Sequence, residues 1–224
     1  MNGKTLAIFD VDGTLVYSER RDSACFAAVY EERYGKPFPS LDWTTYPHVN
    51  DTTIFATVIE QHFQRQPEPD ERTAFIEAFC HRILEKRASD PGHSKAIPNA
   101  RLMIEQLLED PRYEVAIATG GWERPARIKL SHVQIPHEAI FLSTADGQTT
   151  REGIIDRVFQ EGLQEHPDTF QRIVYIGDGL WDVETTRRMS LNFLGIRWRG
   201  DDEVLLEAGA SHVIQDYRDM EAFL

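Results

Sequence analysis

Short, continuous apolar runs recur along most of this chain and alternate with amphipathic helical patterns. The first run is LAIFDVD at 6–12, and the others lie at 113–121, 139–144, 172–179, 192–198 and, more weakly, 211–216. Apolar runs that lack polar alternation predict strands that are buried on both faces. Because such strands alternate with helices, the sequence predicts an α/β fold in which helices cover both faces of a parallel sheet.

The alternation is interrupted between residues 17 and 95. Three amphipathic helical patterns follow one another there without an intervening strand, at 18–35, 50–64 and 70–87. Glycine and proline residues punctuate them, at Gly35, Pro37, Pro39, Pro67 and Pro69. We therefore expect a Rossmann-like catalytic core formed by residues 1–16 and 96–224, with an inserted α-helical domain at residues 17–95.

The charge balance excludes several classes of function. The chain has 37 acidic and 24 basic side chains, and its net charge of −13 repels nucleic acids and anionic lipid surfaces. No apolar run approaches the roughly 18 residues of a membrane-spanning helix, and the first residues lack a signal-peptide pattern. Cys25 and Cys80 lie outside metal-ligand spacings, which favours free thiols in a reducing compartment. A cytoplasmic protein without nucleic-acid or membrane partners is expected.

Acidic side chains follow two of the predicted strands, at the points where the strands end. Asp10 and Asp12 end the first run, and Asp178 ends the run at 172–179, with Asp182 four residues later. Ligands of an open parallel sheet bind outside the carboxyl ends of its strands, so we expect these carboxylates to converge. Their mutual repulsion calls for a cation, and an all-oxygen ligand set suits Mg²⁺. The sequence therefore predicts a magnesium site at this edge.

Hydrogen-bond donors are predicted at the same edge of the sheet. Thr119 and Gly120 lie at the end of the second run and would offer a hydroxyl and a close backbone N–H. Arg151 lies near the start of a helix whose first turn carries Thr149 and Glu152 at the spacing of a capping box. Together these groups would bind an oxyanion, and a phosphoryl group is an oxyanion that also suits Mg²⁺.

The whole chain resembles the haloacid dehalogenase-like hydrolase superfamily. DVDGTL (10–15) is similar to the first motif of that family, IATGG (117–121) to the second and GDGLWD (177–182) to the fourth. The third motif is usually a lysine, and Arg151 takes its place here. Lys129 lies too early in the chain, in a helix that the family uses for packing. The insert resembles the helical cap that follows the first motif in the phosphatase branch, among phosphoglycolate phosphatases and β-phosphoglucomutases.

The resemblance implies a role for each residue of the motifs. Asp10 would be the nucleophile and form an aspartyl-phosphate, and Asp12 would act as general acid and base. Mg²⁺ would be held by Asp10, the main-chain carbonyl of Asp12 and Asp178, with Asp182 as a direct or an indirect partner. Phosphate binding would fall to Thr119, Gly120 and Arg151.

Asp12 also favours one reaction over others within the family. Members that attack carbon or cleave phosphonates carry another residue at its place. The resemblance therefore implies a Mg²⁺-dependent phosphomonoester hydrolase, a monomer or homodimer, that acts on a small phosphorylated metabolite. Two alternatives stay open, a sugar-phosphate mutase of β-phosphoglucomutase type and a phosphate-binding module without catalysis.

Substrate specificity is expected to come from the insert, because a cap closes over the site in the family that the chain resembles. Tyr17 lies at the hinge, and His48 and Asn50 lie in the loop before the second helix of the insert. These three are the candidates for substrate contact. A surface position for His48 and a helix-capping role for Asn50 are the alternatives.

Overall fold

The structure is a computed structural model that describes residues 3–90, 92–163 and 169–218. The strands are β1 (Thr5–Phe9), β2 (Val16–Tyr17), β3 (Lys95–Ala96), β4 (Tyr113–Ala118), β5 (Phe141–Ser143), β6 (Arg172–Gly177), β7 (Asn192–Ile196) and β8 (Val213–Ile214). The α-helices are α1 (Glu19–Tyr34), α2 (Asp51–Phe63), α3 (Pro69–Ser89), α4 (Ala100–Glu109), α5 (Glu123–His132), α6 (Arg151–Arg157), α7 (Leu180–Arg188) and α8 (Glu203–Glu207).

Six of the strands form one parallel sheet in the order β5-β4-β1-β6-β7-β8. Strand β1 lies inside the sheet and is flanked by β4 and β6, and its residues from Leu6 to Phe9 are completely buried. This burial on both faces accounts for the continuous apolar run in the sequence. The predicted Rossmann-like α/β fold is confirmed.

The register of the sheet decides which residues meet at its carboxyl edge. Phe9, the last residue of β1, pairs with Ile117 of β4 on one side and with Ile176 of β6 on the other. The chain therefore leaves all three strands at the same height. The predicted strands run longer than the observed ones at this end, because the residues that follow them form the loops of the site.

The helical insert lies between β2 and β3, which pair antiparallel through Val16↔Ala96 and Tyr17↔Lys95. Helix α1 packs against α3, and α3 packs against α5 of the sheet-forming part. The three predicted helices of the insert are confirmed, and a short 3₁₀ turn, Trp43–Thr45, precedes α2. The independence of residues 17–95 as a domain stays a prediction.

An aromatic cluster joins the insert to the sheet-forming part. Phe26 of α1 stacks on Trp122 with ring centroids 5.8 Å apart, and Phe55 and Phe75 pack edge-on to the same indole. Trp122 is 1% exposed, so these contacts bury a large apolar area between the two parts.

Three smaller observations bear on the sequence expectations. The helix predicted to start near Arg151 is divided into α6 and a π-helical turn, Val158–Gly162. Cys25 and Cys80 are both buried and free, as expected. Within the described ranges, no helix has both the length and the apolar character that crossing a bilayer requires.

Candidate active site

Three buried carboxylates meet at the carboxyl edge of the sheet. Asp10 follows β1, Asp178 follows β6, and Asp182 lies in the first turn of α7; one oxygen atom of each lies within 4.8 Å of the others. The parallel register of β1 and β6 produces this convergence, since Asp10 and Asp178 leave neighbouring strands side by side. The structure thus brings together three of the predicted metal-site residues.

Gly13 makes room for this cluster. Its φ angle of +77° is in the left-handed region, and a Cβ atom there would lie 1.9 Å from Oδ2 of Asp178. Only glycine combines that backbone conformation with so close an approach. The glycine that follows the two aspartates of the first motif is therefore a requirement of the Asp178 position.

Asp10 has the electrostatic surroundings of a cation ligand. Its Oδ1 is buried and accepts no hydrogen bond, and its nearest basic group is Nη2 of Arg151 at 3.4 Å. Burial raises the pKa of Asp10 to about 7; Arg151 acts to lower it, and the carboxylates of Asp182 and Asp12 raise it further. A hard divalent cation with oxygen ligands fits this cluster, because it would oppose both the burial penalty and the repulsion.

Arg151 is held at the centre of the site by its own partners. Nη2 donates to Oδ1 of Asp182 at 2.5 Å and to the hydroxyl of Tyr175 at 2.7 Å, and that hydroxyl donates to Ala118 O at 3.0 Å. Burial lowers the pKa of Arg151, but Asp182, Tyr175 and Asp10 outweigh burial and raise the pKa well above its usual value. The sequence did not indicate a role for Tyr175 in the site, because this residue lies inside an apolar strand run.

The start of helix α6 differs by one residue from the predicted capping box. Thr150, rather than Thr149, is the N-cap residue, and its side chain accepts a hydrogen bond from Gly153 N at 3.1 Å. Arg151 is thereby the first residue of α6. Gly120 is needed opposite it, since a Cβ there would lie 2.6 Å from Nη1 of Arg151.

Both carboxylate oxygens of Asp182 accept hydrogen bonds from protein groups. Its Oδ2 accepts a hydrogen bond from Gly179 N at 3.0 Å, and its Oδ1 accepts from Arg151. The carboxylate therefore fixes both the loop that carries Asp178 and the guanidinium of Arg151. These contacts favour the indirect of the two metal roles expected for Asp182.

Lys129 lies in the site, contrary to the packing role expected from its place in α5. Its Nζ donates to both oxygens of Asp12, at 2.8 and 2.7 Å, and lies 3.8 Å from Oδ2 of Asp22. Burial lowers the pKa of Lys129, but the surrounding carboxylates Asp12, Asp22 and Asp51 raise it above its usual value. The expectation failed because Lys129 lines the cavity between the sheet edge and the insert rather than packing in an apolar core.

Thr119 and Asp51 also lie near Asp12. The Thr119 hydroxyl is buried and accepts a hydrogen bond from Gly121 N at 3.2 Å. Asp51, the first residue of α2, accepts a hydrogen bond from Trp122 N at 3.1 Å and was not expected from the sequence. Burial raises the pKa of Asp51 to about 7, although Lys129 acts to lower it.

The three substrate candidates of the insert occupy different places. Asn50 lines the cavity but uses its side chain structurally, because Oδ1 accepts from Thr53 N and Nδ2 donates to Thr149 O. Tyr17 stacks on Trp198 and does not line the cavity. His48 is half-buried and likewise lies outside the cavity lining.

These groups surround a cavity of about 90 Å³ between the sheet edge and the insert. The sheet-forming part contributes Asp10, Asp12, Thr119, Gly120, Gly121, Lys129, Arg151, Asp178 and Trp181. The insert contributes Asp22, Ser23, Phe26, Trp43, Val49, Asn50, Asp51, Ile54 and Phe79. The cavity thus has carboxylates for a cation and basic groups for an anion on its sheet side.

Solved structures with the same architecture are numerous. A hydrolase from Pseudomonas syringae has a TM-score of 0.67 at 20% identity, with 98% of this chain and 97% of that chain covered. CbbY from Rhodobacter sphaeroides in complex with phosphate has a TM-score of 0.69 at 16% identity (96% and 95% covered). A predicted phosphoglycolate phosphatase from Haemophilus somnus has a TM-score of 0.67 at 17% identity (99% and 98% covered). No curated protein matches the chain in sequence.

A parallel α/β core, a helical insert after its first strand and a carboxylate cluster at the strand ends define a class of Rossmann-like α/β proteins. The model of the family described as haloacid dehalogenase-like hydrolase matches residues 7–196. The chain belongs to this family, as its motifs predicted.

Proposed function

We propose that this protein is a Mg²⁺-dependent phosphomonoester hydrolase that acts on a small phosphorylated metabolite. The observation that carries the proposal is the convergence of Asp10, Asp178 and Asp182 within 4.8 Å, with the Arg151 guanidinium against Asp10 and Asp182. Buried carboxylates beside a buried guanidinium can hold a cation and a phosphoryl group at once.

Asp10, Asp178 and the main-chain carbonyl of Asp12 would hold Mg²⁺. When bound, the ion would neutralise charge on the carboxylates and on the phosphoryl oxygens of the substrate. Its fit rests on the orphaned Oδ1 of Asp10 and on the all-oxygen composition of the cluster.

In the first half of the reaction, a carboxylate oxygen of Asp10 attacks phosphorus and forms the aspartyl-phosphate. The bond between phosphorus and the ester oxygen breaks, and that oxygen receives a proton from Asp12 and leaves as an alcohol. Arg151 and the backbone N–H groups near Thr119 bind the phosphoryl oxygens, where charge develops in the transition state.

In the second half, a water molecule attacks the phosphorus of the aspartyl-phosphate and gives a proton to Asp12. The bond between phosphorus and Asp10 breaks, which releases inorganic phosphate and restores both carboxyl groups. The insert would exclude bulk water during the first half, so that Asp10 is the nucleophile.

The lining of the cavity disfavours the mutase alternative. A mutase must hold a second phosphate while it returns the first, and this requires basic groups on the side of the insert. Among the described residues of the insert, none of those that line the cavity is a lysine or an arginine. Each catalytic position of the family's motifs carries a residue in this chain that can perform the expected role. This also disfavours a module that binds phosphate without turnover.

Phosphate release from p-nitrophenyl phosphate and from small alkyl phosphates, with and without Mg²⁺, tests the proposal. We expect release that requires Mg²⁺ and that is abolished in Asp10→Asn, with Asp70→Asn as the matched control. Asp70 is an exposed aspartate in the first turn of α3. Activity in Asp10→Asn, or no release from any ester by wild type, would refute the proposal.

Arg151 provides a second variant for the same assay. Arg151→Ala should lower kcat by about 10²–10³, the usual cost of one transition-state donor. Arg157→Ala is its control on the same helix, since Arg157 forms an ion pair with the nearby Glu161 and is not among the residues that line the cavity. Equal activity of the two variants would show that Arg151 does not bind the phosphoryl group.

A further inference from the structure

The two sides of the cavity differ in charge. The sheet side carries the two basic groups, Lys129 and Arg151, together with the metal-site carboxylates. The insert side, which would face the alcohol part of a substrate, carries two carboxylates, Asp22 and Asp51, and no lysine or arginine among its described lining residues. A leaving group that enters this side therefore meets negative charge.

Both basic groups already have acidic partners on the sheet side or at its boundary with the insert. Lys129 is bound to both oxygens of Asp12 and lies near Asp22, and Arg151 is bound to Asp182 and Tyr175. A second anionic group on the substrate would compete with these carboxylates for the two basic groups.

The two carboxylates of the insert differ in their partners. Asp22 is paired with Arg87 at 3.4 Å and with Nε2 of His93 at 3.0 Å, and it accepts a hydrogen bond from Ser18 at 2.5 Å. Asp51 accepts its hydrogen bond from a neutral main-chain N–H, and no basic side chain of the described residues forms an ion pair with it. Lys129 acts on Asp51 only over a longer distance. Asp51 is therefore the carboxylate of the insert that still has room for a cation.

Asp51 also stands next to the leaving-group acid. A Cβ built on Gly121 would lie 3.7 Å from Oδ2 of Asp51, 4.0 Å from Oδ2 of Asp12 and 3.7 Å from the hydroxyl of Thr119. The three oxygens thus surround one small space. An alcohol protonated by Asp12 would place its first carbon atoms beside Asp51.

Aromatic side chains complete this side of the cavity. Phe26, Trp43 and Phe79 line it, and the ring of Phe26 lies 6.4 Å from that of Trp43 and 5.3 Å from that of Phe79. Aromatic faces attract ammonium groups and exclude water from around them. A carboxylate and aromatic side chains that line the same cavity are a combination that recognises an organic cation.

We propose that the substrate is a small amino-alcohol phosphate, whose ammonium group lies about two carbon atoms from the ester oxygen and binds to Asp51 against the aromatic wall. The inference rests on the proposed phosphatase activity and specifies its substrate class. It makes Asp51 the residue that determines specificity. Phosphoglycolate and sugar bisphosphates are poor substrates, because their second anionic group would face Asp51.

Three esters of matched size test the inference. They are 2-aminoethyl phosphate, n-propyl phosphate, in which a methyl group replaces the ammonium, and 2-phosphoglycolate, which carries a carboxylate. With Mg²⁺ and the full chain, kcat/KM for 2-aminoethyl phosphate should exceed that for n-propyl phosphate by about tenfold or more, the scale of one well-placed charge contact. The value for 2-phosphoglycolate should be the lowest.

Asp51→Asn gives the decisive comparison, because it removes the charge and keeps the shape. The ratio of kcat/KM for the aminoethyl and propyl esters should fall to about one in Asp51→Asn, whereas Asp70→Asn should keep the wild-type ratio. Asp51→Glu, which restores the charge, should recover part of the preference. Thermal unfolding of each variant shows whether it is folded.

The outcomes separate the two proposals. Hydrolysis of p-nitrophenyl phosphate with no preference for the aminoethyl ester, or a preference that Asp51→Asn retains, would overturn the substrate inference alone. Preference for 2-phosphoglycolate would overturn it as well. Failure to hydrolyse any ester, p-nitrophenyl phosphate included, would overturn the phosphatase proposal and this inference with it.

Discussion

Lys129 fixes the orientation of the Asp12 carboxylate. An ammonium group that contacts both carboxylate oxygens leaves the side chain of Asp12 little freedom to rotate. The hydroxyl of Ser18 lies 3.4 Å from one of the same oxygens and links Asp12 to the start of α1. The proposed acid is therefore positioned by groups of both parts of the chain, and Lys129 is a positioning residue.

Lys129→Met should impair the protonation of the leaving group more than the attack on phosphorus. We expect kcat/KM for alkyl phosphates to fall by about 10²-fold, near the lower end of what a general acid contributes. The loss for p-nitrophenyl phosphate should be smaller, because nitrophenolate leaves without a proton. Lys86→Met, at an exposed lysine of α3, is the control. Equal losses on both kinds of ester would indicate that Lys129 binds the phosphate instead.

The N-terminus of α2 is the element that joins the insert to the loops of the sheet. Asp51 N donates to Gly120 O at 2.7 Å, and the side chain of Thr53 donates to Thr149 O at 2.7 Å. The hydroxyl of Thr52 donates to Ala145 O at 2.6 Å and accepts from Nε1 of Trp122 at 2.9 Å. These bonds keep Asp51 at the site.

Thr52→Val should destabilise the protein by about 1–3 kcal/mol, because the N–H of Trp122 and the carbonyl of Ala145 would stay buried without partners. Urea unfolding monitored by tryptophan fluorescence measures this change. Thr73→Val is the control, since Thr73 is exposed and its hydroxyl donates to Pro69 O within its own helix. Equal stability of the two variants would mean that the contact at Thr52 is not formed in solution.

The sequence predicted the elements of the sheet and the motif residues at their ends, because each rests on local information. Apolar runs buried on both faces identify strands, and parallel register then brings Asp10 and Asp178 together. The positions of Lys129 and Asp51 depend instead on how α5 and α2 pack across the boundary between insert and sheet. Neither a helix pattern nor a spacing contains that information, so both were missed.

The insert and the sheet-forming part enclose buried charges where the chain passes from one to the other. Asp22 of α1 meets Arg87 of α3 and His93, which precedes β3. Burial raises the pKa of Asp22, but Lys129, Arg87 and the hydrogen bonds from Ser18 and His93 outweigh burial and lower it. A buried carboxylate with several partners is thus charged in the folded protein. Asp51 lies at the same boundary, but no basic side chain among the described residues forms an ion pair with it, and burial raises its pKa to about 7.

Asp51 should make the stability of the whole molecule depend on pH. Its pKa is raised by burial to about 7 in the folded state and is about 3.9 in an unfolded chain, so the folded state binds the proton more tightly. This tighter proton binding by Asp51 stabilises the folded state. The stabilisation is complete below about pH 4 and is lost as the pH rises through about 7. Asparagine is neutral throughout, so Asp51→Asn should gain stability over wild type between about pH 5 and pH 8.

Urea unfolding at about pH 5 and at about pH 8 measures the gain in stability of Asp51→Asn over wild type. Asp70→Asn should show no such gain, because Asp70 is exposed. A gain in stability together with a loss of preference for the ammonium ester would mean that the unpaired carboxylate is retained for binding at a cost in stability. A stability difference that does not change with pH would contradict the burial of Asp51. In the absence of Mg²⁺, Asp10 adds a similar pH dependence to wild type and variant alike, and the comparison of the two removes it.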